Sequence, residues 1–82
     1  MKEPKVYNIQ AFWDAEAEVW VATSDEVSGL ATEAATLENL NDKLREIIPE
    51  LLILNGMLEE DYQGLIQIEL ICHRQEIISL AS

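Results

Sequence analysis

The chain has 82 residues, with 16 Asp plus Glu against 5 Lys plus Arg, and a formal net charge of −11. This length fits one compact domain, so we expect residues 1–82 to form a single domain without a separate DNA-binding domain. Contact with nucleic-acid phosphates needs a surplus of Lys and Arg, so the charge argues against nucleic acid as a direct ligand. It predicts a basic protein partner instead.

The first two predicted strands form a hairpin. Residues 6–13 alternate apolar and polar side chains with the period of a half-buried strand. The polar stretch 14–18 (DAEAE) then predicts a turn that includes Asp14, and the β-branched and aromatic residues 19–23 predict the second arm. After the second turn, SDEVSG, residues 30–35 are long enough only for a short third strand.

A long amphipathic helix follows. Leucine and isoleucine recur at steps of three and four across residues 37–54, with charged side chains between them. Thr36 provides an N-cap oxygen, and Asn55 with the glycine after it predicts the C-terminus. Because Pro49 lies inside this segment, we expect a kink or a break near residue 48.

Residues 65–73 (LIQIELICH) alternate again and predict a last strand, whereas residues 74–82 fit either a continuation of that strand or a separate arm. The fold class is therefore α+β, in the order β-β-β-α-β: a three-stranded antiparallel sheet, one amphipathic helix packed on it, then a further strand. An antiparallel sheet with one covered face is the simplest arrangement that buries both patterns. Since both parities of the last strand carry apolar residues, we expect a homo-oligomer, most simply a dimer, joined through that strand and the tail.

Several carboxylates raise the possibility of a two-metal nuclease site, which needs acids that converge on ions about 4 Å apart. These residues are Asp14, Glu16, Glu18, Asp25, Glu26 and Glu33. However, residues 6–42 contain no Lys or Arg that could hold a phosphate. We therefore expect solvated acids rather than catalysis, with no metal and no cofactor.

Cys72 is the only cysteine, so it cannot form an internal disulfide. It is adjacent to His73, and neighbouring residues of a strand point to opposite faces, so the two cannot share a metal ion. We expect a core thiol and a surface imidazole. Trp13 and Trp20 lie on facing hairpin arms, where packing is favoured over a binding platform. No signal-peptide segment and no stretch apolar enough to span a bilayer occurs, so a cytoplasmic location is expected, with no membrane contact.

The segment FWDAEAEVWVATSDEVSGLATEAATLENL, continued by IIPELLILNG, resembles the HicB-like antitoxin family, in its short single-domain branch. The resemblance covers residues 6–56 well and the last strand loosely. Family members have a partial ribonuclease H-like fold of three antiparallel strands, a helix and another strand, which agrees with the order above. Nothing in this chain matches the acid constellation of ribonuclease H, so the resemblance does not imply catalysis.

What the resemblance implies is binding of a HicA-type toxin, a small basic ribonuclease that cleaves messenger RNA and is blocked when the antitoxin covers its surface. The net charge fits such a partner. The candidate contact residues are Asp14, Trp20, Asp25, Glu26 and Glu33. Many HicB proteins also carry a DNA-binding segment, and the absence of a basic stretch here argues against repressor activity. The alternative is a homodimeric regulatory domain that binds another protein or a small ligand and has no toxin partner.

Overall fold

A computed structural model describes residues 5–80. The elements are β1 (Val6–Asp14), β2 (Val19–Thr23), β3 (Ala31–Ala34), α1 (Leu37–Leu54) and β4 (Gln67–His73). This order confirms the predicted α+β class. Residues 74–80 have no regular structure, so this part of the tail forms an arm rather than a longer strand, while residues 81–82 lie outside the described range.

The four strands form one sheet in the order β3-β2-β1-β4. The pairs β1–β2 and β2–β3 are antiparallel, as predicted, but β4 runs parallel to β1. The predicted three-stranded antiparallel sheet with one further strand is therefore confirmed, and the parallel direction of the last strand is new information from the structure. The reason is the helix, which carries the chain back along the sheet after β3, so β4 enters in the direction of β1.

The turn between β1 and β2 is organised by Asp14. Its Oδ1 accepts hydrogen bonds from the backbone N–H groups of Glu16 at 3.1 Å and Ala17 at 3.2 Å. Glu18 completes the reversal with a φ of 55°, a left-handed conformation that costs a non-glycine residue some free energy. The predicted turn acid thus stabilises the turn, because it accepts hydrogen bonds from two backbone N–H groups that no neighbouring strand can pair with.

The second turn completes the pairing of β1 with side chains. Pairing of β2 with β1 ends at Thr23, and beyond it Ser24 Oγ donates to the carbonyl of Asn8 at 2.6 Å. Glu26 Oε1 accepts from the N–H of Asn8 at 2.9 Å. The same Ser24 oxygen accepts from the N–H of Glu26 at 3.1 Å. These two side chains therefore replace the next residues of β2 as partners of the β1 backbone.

The second turn also contributes to the core. Val27 is fully buried and Leu30 is 5% exposed. Between them, Gly29 has a φ of +85°, and a Cβ there would lie 3.6 Å from Leu51 Cδ2. Space is therefore available, and the left-handed backbone is what favours glycine at this position.

Helix α1 begins and ends where the sequence predicted. Thr36 Oγ1 accepts a hydrogen bond from the N–H of Asn39 at 3.0 Å, as an N-cap does. At the other end Gly56 has a φ of +74°, and the N–H of Met57 donates to the carbonyl of Leu52 at 2.9 Å. This left-handed glycine and long-range bond form a Schellman motif.

Of the predicted kink or break near residue 48, the break is wrong, because α1 continues through Pro49 to Leu54. Proline has no N–H to donate to the carbonyl of Arg45 four residues earlier. Pro49 is half-buried. The packing of the face that includes the fully buried Leu44 and Leu52 holds the helix together across this position.

The core lies between α1 and one face of the sheet. Its buried apolar residues are Tyr7, Ile9, Ala11, Trp20, Ala22, Val27, Leu30, Ala34, Leu40, Leu44, Ile48 and Leu52. The backbone of the helix lies closest to β3 and β2 and farther from β4. The β4 side chains that face the helix, such as Ile68 and Leu70, are therefore only partly buried. For the same reason the prediction of a core thiol was wrong, since Cys72 is exposed.

Candidate partner-binding surface

The predicted contact acids are not brought together. Asp14 lies at the hairpin end of the sheet, whereas Asp25 and Glu26 lie in the turn at the opposite end. The five residues of β2 separate the two ends, at about 3.3 Å per residue. Glu33 lies between these ends, on the edge strand β3. A compact cluster of all four carboxylates, such as a metal site needs, is therefore excluded.

Two of the candidates have structural positions. Trp20 is only 8% exposed and contributes to the core, so little of its ring is available to a partner, and contact there stays a prediction. Glu26 is half-buried and holds the backbone of Asn8, with Lys5 Nζ 3.8 Å from its other oxygen. By contrast, Asp25 and Glu33 are exposed. They remain candidates for contact.

The side of the sheet away from α1, here called the open face, is not covered by any element within residues 5–80. The register aligns four side chains in one row across it, from Glu33 through Val21 and Phe12 to His73. Phe12 is 46% exposed. Its ring stacks on the imidazole of His73, with centroids 4.9 Å apart, and His73 Nε2 lies 2.9 Å from Gln10 Oε1.

The open face has an apolar centre with acids at its margins. Phe12, Val21 and Ile71 form the centre, while Glu33 and Glu69 lie on the two edge strands. Apolar centres with polar margins are typical of protein–protein interfaces. Sequence reasoning missed this centre, although Phe12 was a signal as the one aromatic residue on the polar parity of the first strand. The neighbourhood of His73 could not be predicted, because it depends on the parallel register of β4 with β1.

A second uncovered region begins where β4 ends. The guanidinium carbon of Arg74 lies 4.4 Å from the ring centroid of Trp13 and 5.9 Å from that of Trp20. Residues 74–80, here called the arm, then extend from the domain. In the arm, Ile77 is 99% exposed, Ile78 82% and Leu80 92%. Isolated exposed apolar residues are ordinary, but three within four positions form an exposed apolar patch of the kind that favours association.

A groove lies between α1 and β4, where the helix fails to cover the last strand. It has a volume of about 160 Å³. Its lining residues are Leu44, Arg45, Ile48, Pro49, Ile66 and Ile68. Apart from the guanidinium of the arginine, these side chains are apolar, so the groove suits a hydrocarbon side chain.

The surface charge is poorly compensated. Among residues 5–80 the ion pairs are Lys5–Glu26 and Arg74–Glu76, so most carboxylates face solvent without a cation. No group of three His, Cys, Asp or Glu side chains in this range could hold a metal ion. In the same part of the chain, no helix is long and apolar enough to cross a membrane.

The geometry is that of a small α+β domain with exposed apolar surfaces. Residues 6–79 match a family described as a domain of unknown function, DUF1902, and the chain belongs to this family. The match extends into the arm. A crystal structure of a hypothetical protein from the extremely thermophilic bacterium Thermus thermophilus is similar, with 43% identity and a TM-score of 0.70. The similarity covers 90% of this chain and 100% of that chain. No curated protein matches.

Proposed function

We propose that the protein is a HicB-like binding module that binds and blocks a small basic ribonuclease of the HicA type. The observation that carries the proposal is the open face, an apolar centre with carboxylates on both sides in a chain of net charge −11. The HicB-like pattern over residues 6–56 supports the same partner. Neither the charge nor the face requires the chain itself to be an enzyme.

The charge favours a partner of this kind for a physical reason. A ribonuclease presents Lys and Arg to the phosphates of its substrate, and carboxylates at the margin of the open face, such as Glu33 and Glu69, can occupy the same positions. The uncompensated charge also steers a basic protein toward the face and raises the association rate at low salt. Blocking then needs no chemistry, because a covered surface cannot admit RNA.

The centre of the face would supply the affinity. Phe12 is a large side chain that is half-exposed and held in place by its stack on His73. Buried aromatic anchors at the centre of an interface commonly contribute the most to binding, while marginal charges contribute mainly to the association rate. Asp25, Glu33 and the free oxygen of Asp14 would act at the margin. Because its target acts on messenger RNA, the proposal places the protein in the cytoplasm.

The test is inhibition of RNA cleavage by a purified HicA-type toxin. We expect the wild-type chain to stop cleavage at about equimolar concentration, and Phe12→Asp to weaken inhibition at least about tenfold, since a charge would be buried in the interface. Leu54→Asp is the matched control, because Leu54 is 80% exposed and lies at the end of α1, away from the open face. Equal inhibition by both variants would remove the open face from the interface.

A second function is favoured by the arm, whose exposed apolar side chains indicate self-association. A homodimeric regulatory domain that binds another protein or a small ligand would use this feature without any toxin. The same experiment separates the two functions, because such a domain would leave the ribonuclease active at every concentration of wild-type protein.

A further inference from the structure

The outer edge of β4 is unpaired within the described part of the chain. β4 is the last strand in the sheet order and bonds only to β1 there. It has seven residues, so it presents a row of backbone donors and acceptors that another strand could pair with. The helix does not shield this edge, since α1 lies toward β3.

The arm cannot fill the groove of its own domain by folding back as a hairpin. With Gln75 and Glu76 as the two turn residues, Leu80 would lie opposite Ile71, which is short of Ile68 and Ile66 in the groove. Gln75 and Glu76 are also unsuited to the positive φ angles of a two-residue hairpin turn. The occupant of the groove must therefore come from elsewhere.

A second copy of the chain offers an occupant of the right length and polarity. We propose that two copies pair antiparallel through β4, and that the arm of each copy lies along the start of the other copy's β4 and fills its groove. With the two-fold axis at His73, Ile78 lies opposite Ile68 of the partner subunit, and Leu80 lies opposite Ile66 of the partner subunit. This is the pairing expected of identical edge strands.

The side-chain directions support this register. Directly opposed residues of an antiparallel pair lie on the same face of the sheet. Ile66 and Ile68 face the helix side, and Ile78 and Leu80 share their parity, so a strand-like arm places both of its even-numbered apolar residues on the groove side. Ile77 falls on the opposite face. The parity of the arm thus matches the position of the groove.

The groove and the contact area are of suitable size. A volume of about 160 Å³ is close to that of an apolar cavity of about 150 Å³ that admits benzene, so the groove accepts the side chain of Ile78, and Leu80 packs beside it against Ile66. The strand, the arm and the groove side chains of α1 together supply roughly the 20 residues per partner found in stable interfaces. The family match also runs to residue 79, so the arm belongs to the domain.

The proposed dimer is independent of the proposed toxin. Because opposed residues share a face, the two helices lie on one side of the joined sheet and the two open faces lie on the other. Phe12 and Glu33 stay accessible in both copies. Loss of the dimer would therefore not by itself prevent toxin binding, and the absence of a toxin would not prevent the dimer.

Sedimentation equilibrium tests the role of the arm. We expect a wild-type dimer at micromolar concentration. The double variant Ile78→Ser with Leu80→Ser should raise the dissociation constant at least about a hundredfold, because a two-fold dimer buries each of these side chains once in each of its two grooves. Ile77→Ser is the matched control, with the same chemical change on the other face and an effect of less than about tenfold. A monomeric wild type, or equal weakening by the control, would overturn the proposal.

Cysteine crosslinking tests the register without disturbing the groove. In a Cys72→Ser background, His73→Cys lies on the two-fold axis, where facing Cβ atoms are close enough for a disulfide. Gln67→Cys is the control, since it is equally exposed on the same strand and face but lies six positions from the axis. Mild oxidation should give covalent dimers of the first variant and not of the second. Equal yields, or a yield only from position 67, would contradict pairing through β4.

Discussion

The two edges of the sheet differ in strand length and in how well they are covered. β3 has four residues, α1 lies close to it, and Lys43 Nζ donates a hydrogen bond to the carbonyl of Glu33 at 2.6 Å. β4 has seven residues, lies farther from the helix and continues into an arm with three exposed apolar side chains. A short, lysine-capped edge discourages pairing, whereas a long apolar edge invites it. The comparison shows that one helix placed off-centre determines which edge of this domain is available to a partner.

The largest expected effect is on the free energy of unfolding, and it distinguishes the packing near β3 from the packing near β4. Leu40 is fully buried on α1, the helix that lies close to β3, and Leu70 is partly buried on β4. Leu40→Ala should lower the free energy of unfolding by about 3 kcal/mol, because it leaves a closed cavity, and Leu70→Ala by about 1 kcal/mol. Urea denaturation of both variants in the Ile78→Ser/Leu80→Ser background measures this without a contribution from self-association. Equal losses would show that β4 is as well covered as β3.

An effect of intermediate size concerns the charges on the β3 side. Asp25→Asn with Glu33→Gln should slow association with a HicA-type toxin roughly tenfold at low salt and flatten its salt dependence, because marginal charges act mainly on encounter. Glu59→Gln with Glu60→Gln removes the same charge from the connection before β4 and is the control. Stopped-flow association rates at two salt concentrations give the answer. If the two double variants behave alike, net charge matters and the position of the acids does not.

The smallest expected effect comes from Lys43. Lys43→Met keeps an unbranched side chain of similar length and removes its hydrogen bond to β3, so stability should fall by about 0.5–1 kcal/mol. The uncapped edge should also form higher oligomers at high concentration, visible in light scattering. Lys5→Met, which removes a weak surface ion pair, is the control. A stable variant that stays at the wild-type size would show that the proximity of α1 alone protects β3.

Local chemistry made much of this fold predictable. The hairpin, the N-cap Thr36 and the left-handed Gly56 follow from residues within a few positions of one another, and all were confirmed. The sequence could not show that Glu26 binds the backbone of a residue 18 positions earlier. Nor could periodicity reveal the parallel register of β4, since alternation fixes the faces of a strand but not its neighbour.

The candidate surface was less predictable for the same reason. The candidate acids lie within 20 positions of one another in the sequence, yet β2 separates them in space. Trp20 is paired with Trp13 in the hairpin, and the sequence does not show how little of its ring stays exposed. The open face and the groove appear only when strands from both ends of the chain are placed side by side. Both depend on where α1 lies, and amphipathicity does not specify that.

The position of Arg74 gives the molecule an optical reporter. Trp13 and Trp20 are its only tryptophans, and both indole rings lie under the guanidinium at the root of the arm. The excited state of indole has a larger dipole than the ground state, so its emission wavelength responds to a nearby cation and to exclusion of water. Any event that moves Arg74 away from the two rings, or that buries the arm against another chain, therefore shifts the wavelength of tryptophan emission. Motion of the arm can thus be followed in dilute solution without a dye.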